Sequence, residues 1–173
     1  MTWPLRRTTD SPSATRELAG RLARLCRAGD VVLLVGDLGA GKTVFAQGFA
    51  AALGVPGPVT SPTFALVRHY RCGPGSPIGS LIHADVYRTG SVDEIADLAL
   101  AELVEEDAVA LVEWGDKATP ALGESALEVT LAVPDALGAP ERRAVSVVGR
   151  GRWAERAGEV AAVLEPVPER GAS

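Results

Sequence analysis

Eight consecutive residues carry the clearest chemistry in this chain: Gly36-Asp37-Leu38-Gly39-Ala40-Gly41-Lys42-Thr43, which fits the phosphate-loop pattern GxxxxGK[ST]. Glycines let successive backbone N–H groups turn inward around phosphate oxygens, and a helix beginning at the end of the loop adds its partial positive charge. Lys42, one of two lysines in the 173 residues, can reach the β and γ phosphates of a nucleotide. The Thr43 hydroxyl is then a ligand for Mg²⁺. A glycine-rich turn without a ligand is the bland alternative, and the flanking pattern speaks against it.

Phosphate chemistry with Mg²⁺ also needs carboxylates at the ends of neighbouring strands. Two apolar segments end in acid. Val109-Ala110-Leu111-Val112-Glu113 has the form of a Walker B strand with Glu in place of the commoner Asp, and Leu81-Ile82-His83-Ala84-Asp85 offers a second carboxylate. We assign Glu113 to the metal and Asp85 to positioning a water or to the layer behind the metal. Each taken alone is also readable as an acid at a surface strand end. Thr60, Ser61 and Thr63 follow the phosphate-loop helix, where nucleotide switches place a hydroxyl near the γ-phosphate, although a plain Ser/Thr/Pro turn reads equally well. His83 is either a catalytic base or, the preferred reading, a hydrogen-bonded structural residue. Trp114 reads first as a packing residue, with a nucleotide or partner contact left open.

The elements that must position these groups follow from the hydrophobic pattern. Residues 31–35, Val-Val-Leu-Leu-Val, form an apolar run expected of a buried strand, and residues 43–53 read as a helix with Phe45, Phe49, Ala52 and Leu53 on one side. Upstream, residues 13–28 fit an amphipathic helix through Leu18, Leu22 and Leu25, ended by Gly29-Asp30. Residues 54–63 are too rich in proline and glycine to be regular. Strands are expected at 64–70 and 81–85 as a hairpin, at 108–112, and at 127–133 with 144–148 as a second, antiparallel hairpin. Ser91-Val92-Asp93-Glu94 is a capping box opening a helix, and residues 153–164 fit a closing helix. The expected fold is a single α/β P-loop NTPase domain: a layered sheet whose central strands carry the Walker A loop, with antiparallel edge strands or a C-terminal hairpin. Its limits are residues 13–164, between a flexible N-terminus at 1–12 and a frayed tail at 165–173.

Bulk composition excludes other classes. The longest apolar runs are too short to cross a bilayer, and no signal-peptide stretch follows Arg6 and Arg7, so a cytoplasmic protein is expected. A net charge of −5 without a long basic segment argues against unaided nucleic-acid binding. Arg142, Arg143, Arg150, Arg152 and Arg156 gather locally, facing either a phosphate or solvent, with solvent preferred. Cys26 and Cys72 are expected to be free thiols. The chain contains no asparagine, so the Asn-Lys-x-Asp motif that reads guanine is absent.

Four motifs occur in order: the loop at 36–43, Ser61-Pro62-Thr63-Phe64, His83-Ala84-Asp85-Val86-Tyr87-Arg88, and Glu113-Trp114. In that order they resemble the TsaE family over nearly the whole chain. The resemblance implies an ATPase using ATP and Mg²⁺ that joins TsaB and TsaD, which attach threonylcarbamoyl to adenosine 37 of tRNAs decoding codons that begin with A. It implies contact with tRNA only through that complex, and ATP hydrolysis that supports repeated turnover. By the same resemblance Thr43 and Glu113 match Mg²⁺ ligands, Gly39 to Val44 match phosphate contacts, and Asp85 matches the acid of the HxDxYR segment. The C-terminal arginine of the family's nucleotide site falls on Arg142 or Arg143, with Arg143 preferred. A stand-alone small-molecule kinase and a non-hydrolysing nucleotide sensor are the competing readings of the loop.

Overall fold

A computed structural model describes residues 2–62, 67–87, 107–114, 124–134 and 138–166. The described elements are strands β1 (Leu5–Thr9), β2 (Val31–Val35), β3 (Val67–Arg71), β4 (Ser80–Asp85), β5 (Ala108–Glu113), β6 (Leu127–Ala132) and β7 (Arg143–Gly149). Between and after them lie helices α1 (Pro12–Ala23), α2 (Lys42–Ala52) and α3 (Ala157–Leu164), the last preceded by a 3₁₀ helix over Gly151–Arg156.

The strands form one seven-stranded sheet in the order β1-β7-β6-β2-β5-β4-β3. β2 lies at its centre, parallel to both β5 and β6, and β4 is parallel to β5. Antiparallel pairs finish both edges, β3 on β4 and β1 on β7 on β6. This is the expected α/β architecture. Every residue of β5 and the first four of β2 are buried, which explains their continuous apolar runs: a central parallel strand is covered on both faces. β6 instead alternates, sending Leu127, Val129 and Leu131 into the core and leaving Glu128 and Thr130 half-exposed.

Helices α1 and α2 cover one face of the sheet, where Leu18, Leu22, Phe45, Phe49 and Leu53 pack with Val32, Leu34, Val129 and Leu131. Each such buried side chain contributes roughly 1.5–3 kcal/mol. The two helices approach closely because Gly48 has no side chain: a Cβ there would lie 2.2 Å from the Arg16 carbonyl oxygen. Ser11 caps α1, its Oγ accepting from the Ala14 N–H at 3.1 Å, and Pro12 stands just inside the helix.

Several boundaries differ from expectation for identifiable reasons. Residues 1–12 are not wholly a flexible terminus, since Leu5–Thr9 pair with β7 and cover the sheet edge while Trp3 and Leu5 pack against the core. α1 stops at Ala23 rather than 28, because Asp30 takes the Arg27 N–H at 2.8 Å and closes a turn there. The closing helix begins as 3₁₀, with Arg156 buried against Asp30 at 3.0 Å and over the Trp153 ring at 3.8 Å. Both cysteines are free and buried. Among the described residues no helix is long and apolar enough to cross a membrane. The capping-box helix from Ser91, the start of the 64–70 strand, Thr63, Phe64 and Arg88 lie outside the described residues.

Candidate nucleotide and metal site

The site stands where β2, β4 and β5 end. β2 leads directly into the 36–41 loop, and three loop glycines take left-handed backbone angles, with φ of 154° at Gly36, 79° at Gly39 and 103° at Gly41. Gly36 has a second constraint: a Cβ there would lie 2.5 Å from the Leu131 carbonyl oxygen on β6. α2 then starts at Lys42 with Gly41 as its N-cap, no side-chain cap and no acid in its first turn. Its leading N–H groups and its dipole are therefore presented to the loop without a competing carboxylate.

Lys42 is buried and lies along this loop. Its Nζ donates to the Gly36 carbonyl at 2.6 Å and the Asp37 carbonyl at 2.9 Å, and sits 4.1 Å from the centre of the Trp114 ring. Trp114 takes φ of 60°, the one positive-φ residue other than glycine among those described. Such a conformation costs of order 1–3 kcal/mol and collects at functional sites. Tyr87 packs its ring on Trp114 with centroids 4.6 Å apart.

The carboxylates meet as the strand pattern requires. β4 and β5 run parallel with Asp85 opposite Glu113. The Glu113 Oε1 accepts from the Ser61 hydroxyl at 2.8 Å and from the His83 Nε2 at 2.9 Å, while Ser61 Oγ lies 2.9 Å from the Thr43 hydroxyl. A hydroxyl and a carboxylate, the two protein groups assigned to Mg²⁺, are thus one serine apart. Hard oxygen donors of this kind fit Mg²⁺, which is held by one or two carboxylates and substrate phosphates rather than by an all-protein cage. Asp85 Oδ1 accepts the Tyr87 N–H at 2.9 Å. Burial pushes the Asp85 carboxyl above its usual range and the Glu113 charge adds to the effect, opposed by the Tyr87 hydrogen bond.

A cavity of about 460 Å³ opens over these groups, a volume within the range of small-molecule sites. Leu38, Gly39, Gly41, Lys42, Thr43, Val44, Asp85, Glu113 and Arg143 line it, together with Ser61, Pro62, Tyr87 and Trp114. Gly36, Asp37 and Ala40 shape the loop behind it. Arg142 and Arg143 separate clearly. Arg142 pairs with Asp10 at 2.9 Å on the surface, whereas Arg143 donates to the Ala40 carbonyl at 2.9 Å and the Gly39 carbonyl at 3.2 Å. The arginine cluster is therefore not one solvated face: Arg143 grips the loop, Arg156 is buried, and Arg150 and Arg152 pair with Glu128 and Asp30. Ser61, readable from the sequence as a turn residue or as a hydroxyl near the phosphates, bridges Thr43 and Glu113, and His83 is buried and hydrogen-bonded, as its preferred reading expects.

A parallel-centred sheet with a GxxxxGK[ST] loop between its central strand and the first buried helix defines a P-loop NTPase fold. A family model described as "Threonylcarbamoyl adenosine biosynthesis protein TsaE" matches residues 9–143. The chain belongs to the TsaE family. It is 48% identical over 144 residues to a protein of Streptomyces coelicolor named "tRNA threonylcarbamoyladenosine biosynthesis protein TsaE", covering 80% of this chain and 93% of that protein. A Bacillus subtilis protein of the same name is 40% identical over 123 residues, covering 71% of this chain and 74% of that one. The crystal structure of Bacillus subtilis YdiB superposes with a TM-score of 0.69 at 30% identity, covering 94% of this chain and 96% of that one.

Proposed function

We propose that this chain is an Mg²⁺-dependent ATPase that takes part in tRNA threonylcarbamoyladenosine biosynthesis in the cytoplasm, working with TsaB and TsaD and meeting tRNA through that complex. The observation that carries the reading is the convergence of Lys42, Thr43, Asp85 and Glu113 on one cavity in a chain of the TsaE family. Lys42 turns from the loop carbonyls to bind phosphate oxygens, and the loop N–H groups and the start of α2 hold the same charge. Thr43 and Glu113 hold Mg²⁺, which when bound neutralises charge on the phosphates. Asp85, at the rim beside Glu113, accepts a hydrogen bond from the attacking water and orients it. Arg143 keeps the carbonyls of Gly39 and Ala40 engaged, so that the loop N–H groups remain available to phosphate. Thr63, two residues past Ser61, completes the proposed nucleotide contacts.

The test is phosphate release from Mg²⁺-ATP by the purified protein, alone and then with TsaB, TsaD and unmodified tRNA. Faster release with the partners is expected. Absence of both TsaD binding and stimulation overturns the assignment to the complex, and transfer of the γ-phosphate to a small acceptor would make the protein a kinase.

A further inference from the structure

We propose that His83 is a positioning residue that holds the Glu113 carboxylate in the orientation needed for the divalent ion. This rests on Glu113 being a metal ligand. His83 is fully buried in β4 between Ile82 and Ala84, and Leu81 beside them is buried as well, so the strand pattern alone calls for an apolar residue at this position. Instead an imidazole is present, and it reaches diagonally across the β4–β5 pair: its register partner is Leu111, yet its Nε2 lies 2.9 Å from Oε1 of Glu113, two residues further along β5.

The hydrogen-bond inventory gives this contact a direction. An ionised carboxylate only accepts, so Nε2 carries the hydrogen. Nδ1 has no partner among the described residues, so among them Glu113 is the ring's polar contact. A core histidine retained for packing would satisfy both nitrogens or be replaced at lower cost by Leu or Phe. The unpaired Nδ1 is tolerated while the bond to Glu113 is kept, which points to the carboxylate as the reason for the histidine.

Ser61 also donates to Oε1, and neither donor uses Oε2. The two differ in support. Ser61 belongs to a loop and is tied to Thr43, a group that changes partners when a cation arrives, whereas His83 is anchored in a buried strand paired on both sides. His83 is therefore the donor that persists through a binding cycle, fixing the rotation of the carboxylate while Oε2 is left to the ion. Partners of this kind behind a ligating carboxylate set its geometry, and losing them costs about 10–100-fold in metal affinity or activity.

The test uses the full chain and measures binding rather than turnover. Affinity for a non-hydrolysable ATP analogue is titrated against free Mg²⁺ by calorimetry, and bound Mn²⁺ in the ternary complex is followed by electron paramagnetic resonance. His83→Phe keeps apolar volume without the donor, His83→Leu does the same if Phe overpacks, and His83→Gln keeps an N–H close to the Nε2 position. The Mg²⁺ needed for half-maximal nucleotide binding is expected to rise about 10–100-fold in the Phe or Leu variant, to return towards wild type in the Gln variant, and nucleotide binding without metal is expected to stay unchanged. An unaltered Mg²⁺ requirement in the Phe and Leu variants, or an equal loss in Gln, overturns the proposal. Glu113→Gln separates the two levels: if it raises the Mg²⁺ requirement while His83→Phe does not, only the role of His83 fails. If Glu113→Gln has no effect, the assignment of Glu113 to the metal fails first.

Discussion

Replacing Arg143 with alanine removes a clamp on the phosphate loop without touching the loop's own sequence. The guanidinium spends Nε on the Ala40 carbonyl and Nη2 on the Gly39 carbonyl, at 2.9 and 3.2 Å, while Nη1 donates to Pro140 and Arg142 at 2.7 and 2.8 Å. Hydrogen bonds to a charged group contribute roughly 1.5–3 kcal/mol each, and the lower figure applies to a half-exposed arginine, so the two bonds to the loop amount to about 3 kcal/mol. Water replaces part of this in the variant. With about half of it expressed in binding, affinity for Mg²⁺-ATP falls by about tenfold. β7 remains paired with β1 and β6, so the melting temperature should drop by no more than about 2–4 °C per kcal/mol lost. Calorimetric titration of wild type, Arg143→Ala, Arg143→Lys and Arg142→Ala measures this, with Lys only partly restoring a fork-shaped contact. Unchanged affinity in Arg143→Ala, or an equal loss in Arg142→Ala, would show that the Arg143 contacts do not hold the loop for nucleotide.

Asp85→Asn keeps an oxygen for the Tyr87 N–H and removes a charge that burial disfavours. Because the folded carboxyl titrates above its unfolded value, its stabilising contribution is complete below the ordinary aspartate range and is lost as pH rises through the raised value. The variant should therefore melt higher than wild type at neutral pH and equally below the ordinary aspartate range, while its ATP turnover is lost. Asp30→Ala leaves the buried Arg156 guanidinium with only the half-exposed Glu159 carboxylate, 3.6 Å away, and should cost about 3 kcal/mol in urea unfolding. Its nucleotide affinity should be unchanged, since Asp30 precedes β2 at the end of the sheet away from the loop. Gly48→Ala places a methyl group against the Arg16 backbone and should cost about 1–3 kcal/mol through the displacement of α1 from α2. A melting temperature equal to wild type would contradict that helix contact.

The phosphate loop, β2 and α2 are legible in the sequence because phosphate chemistry imposes a spacing and a central parallel strand imposes an apolar run. Glu113 and Asp85 are legible as acids ending such runs, and their shared register follows once β4 and β5 are parallel. β1 is not legible, since Leu5-Arg6-Arg7-Thr8-Thr9 has one strongly apolar residue and acquires its order from β7, 134 or more positions away. The end of α1 is hidden for a similar reason: Leu25 continues the helical spacing, but the Asp30 side chain takes the Arg27 N–H and closes the chain. Spacing alone cannot divide Arg142 from Arg143. Strand register does, because Arg143 pairs with Thr9 at the start of β7 and its side chain reaches back to the loop. Sequence shows that His83 is polar in an apolar strand, and only the cross-strand geometry shows which residue it serves.

Binding of a metal-bound nucleoside triphosphate by the 36–43 loop underlies every role proposed for these residues, and calorimetric titration of Mg²⁺-ATP into wild type and Lys42→Ala measures it. Saturable binding to the wild type, weakened in the absence of Mg²⁺ and lost in Lys42→Ala, is the predicted result. No binding to the wild type, or equal binding to Lys42→Ala, would contradict it.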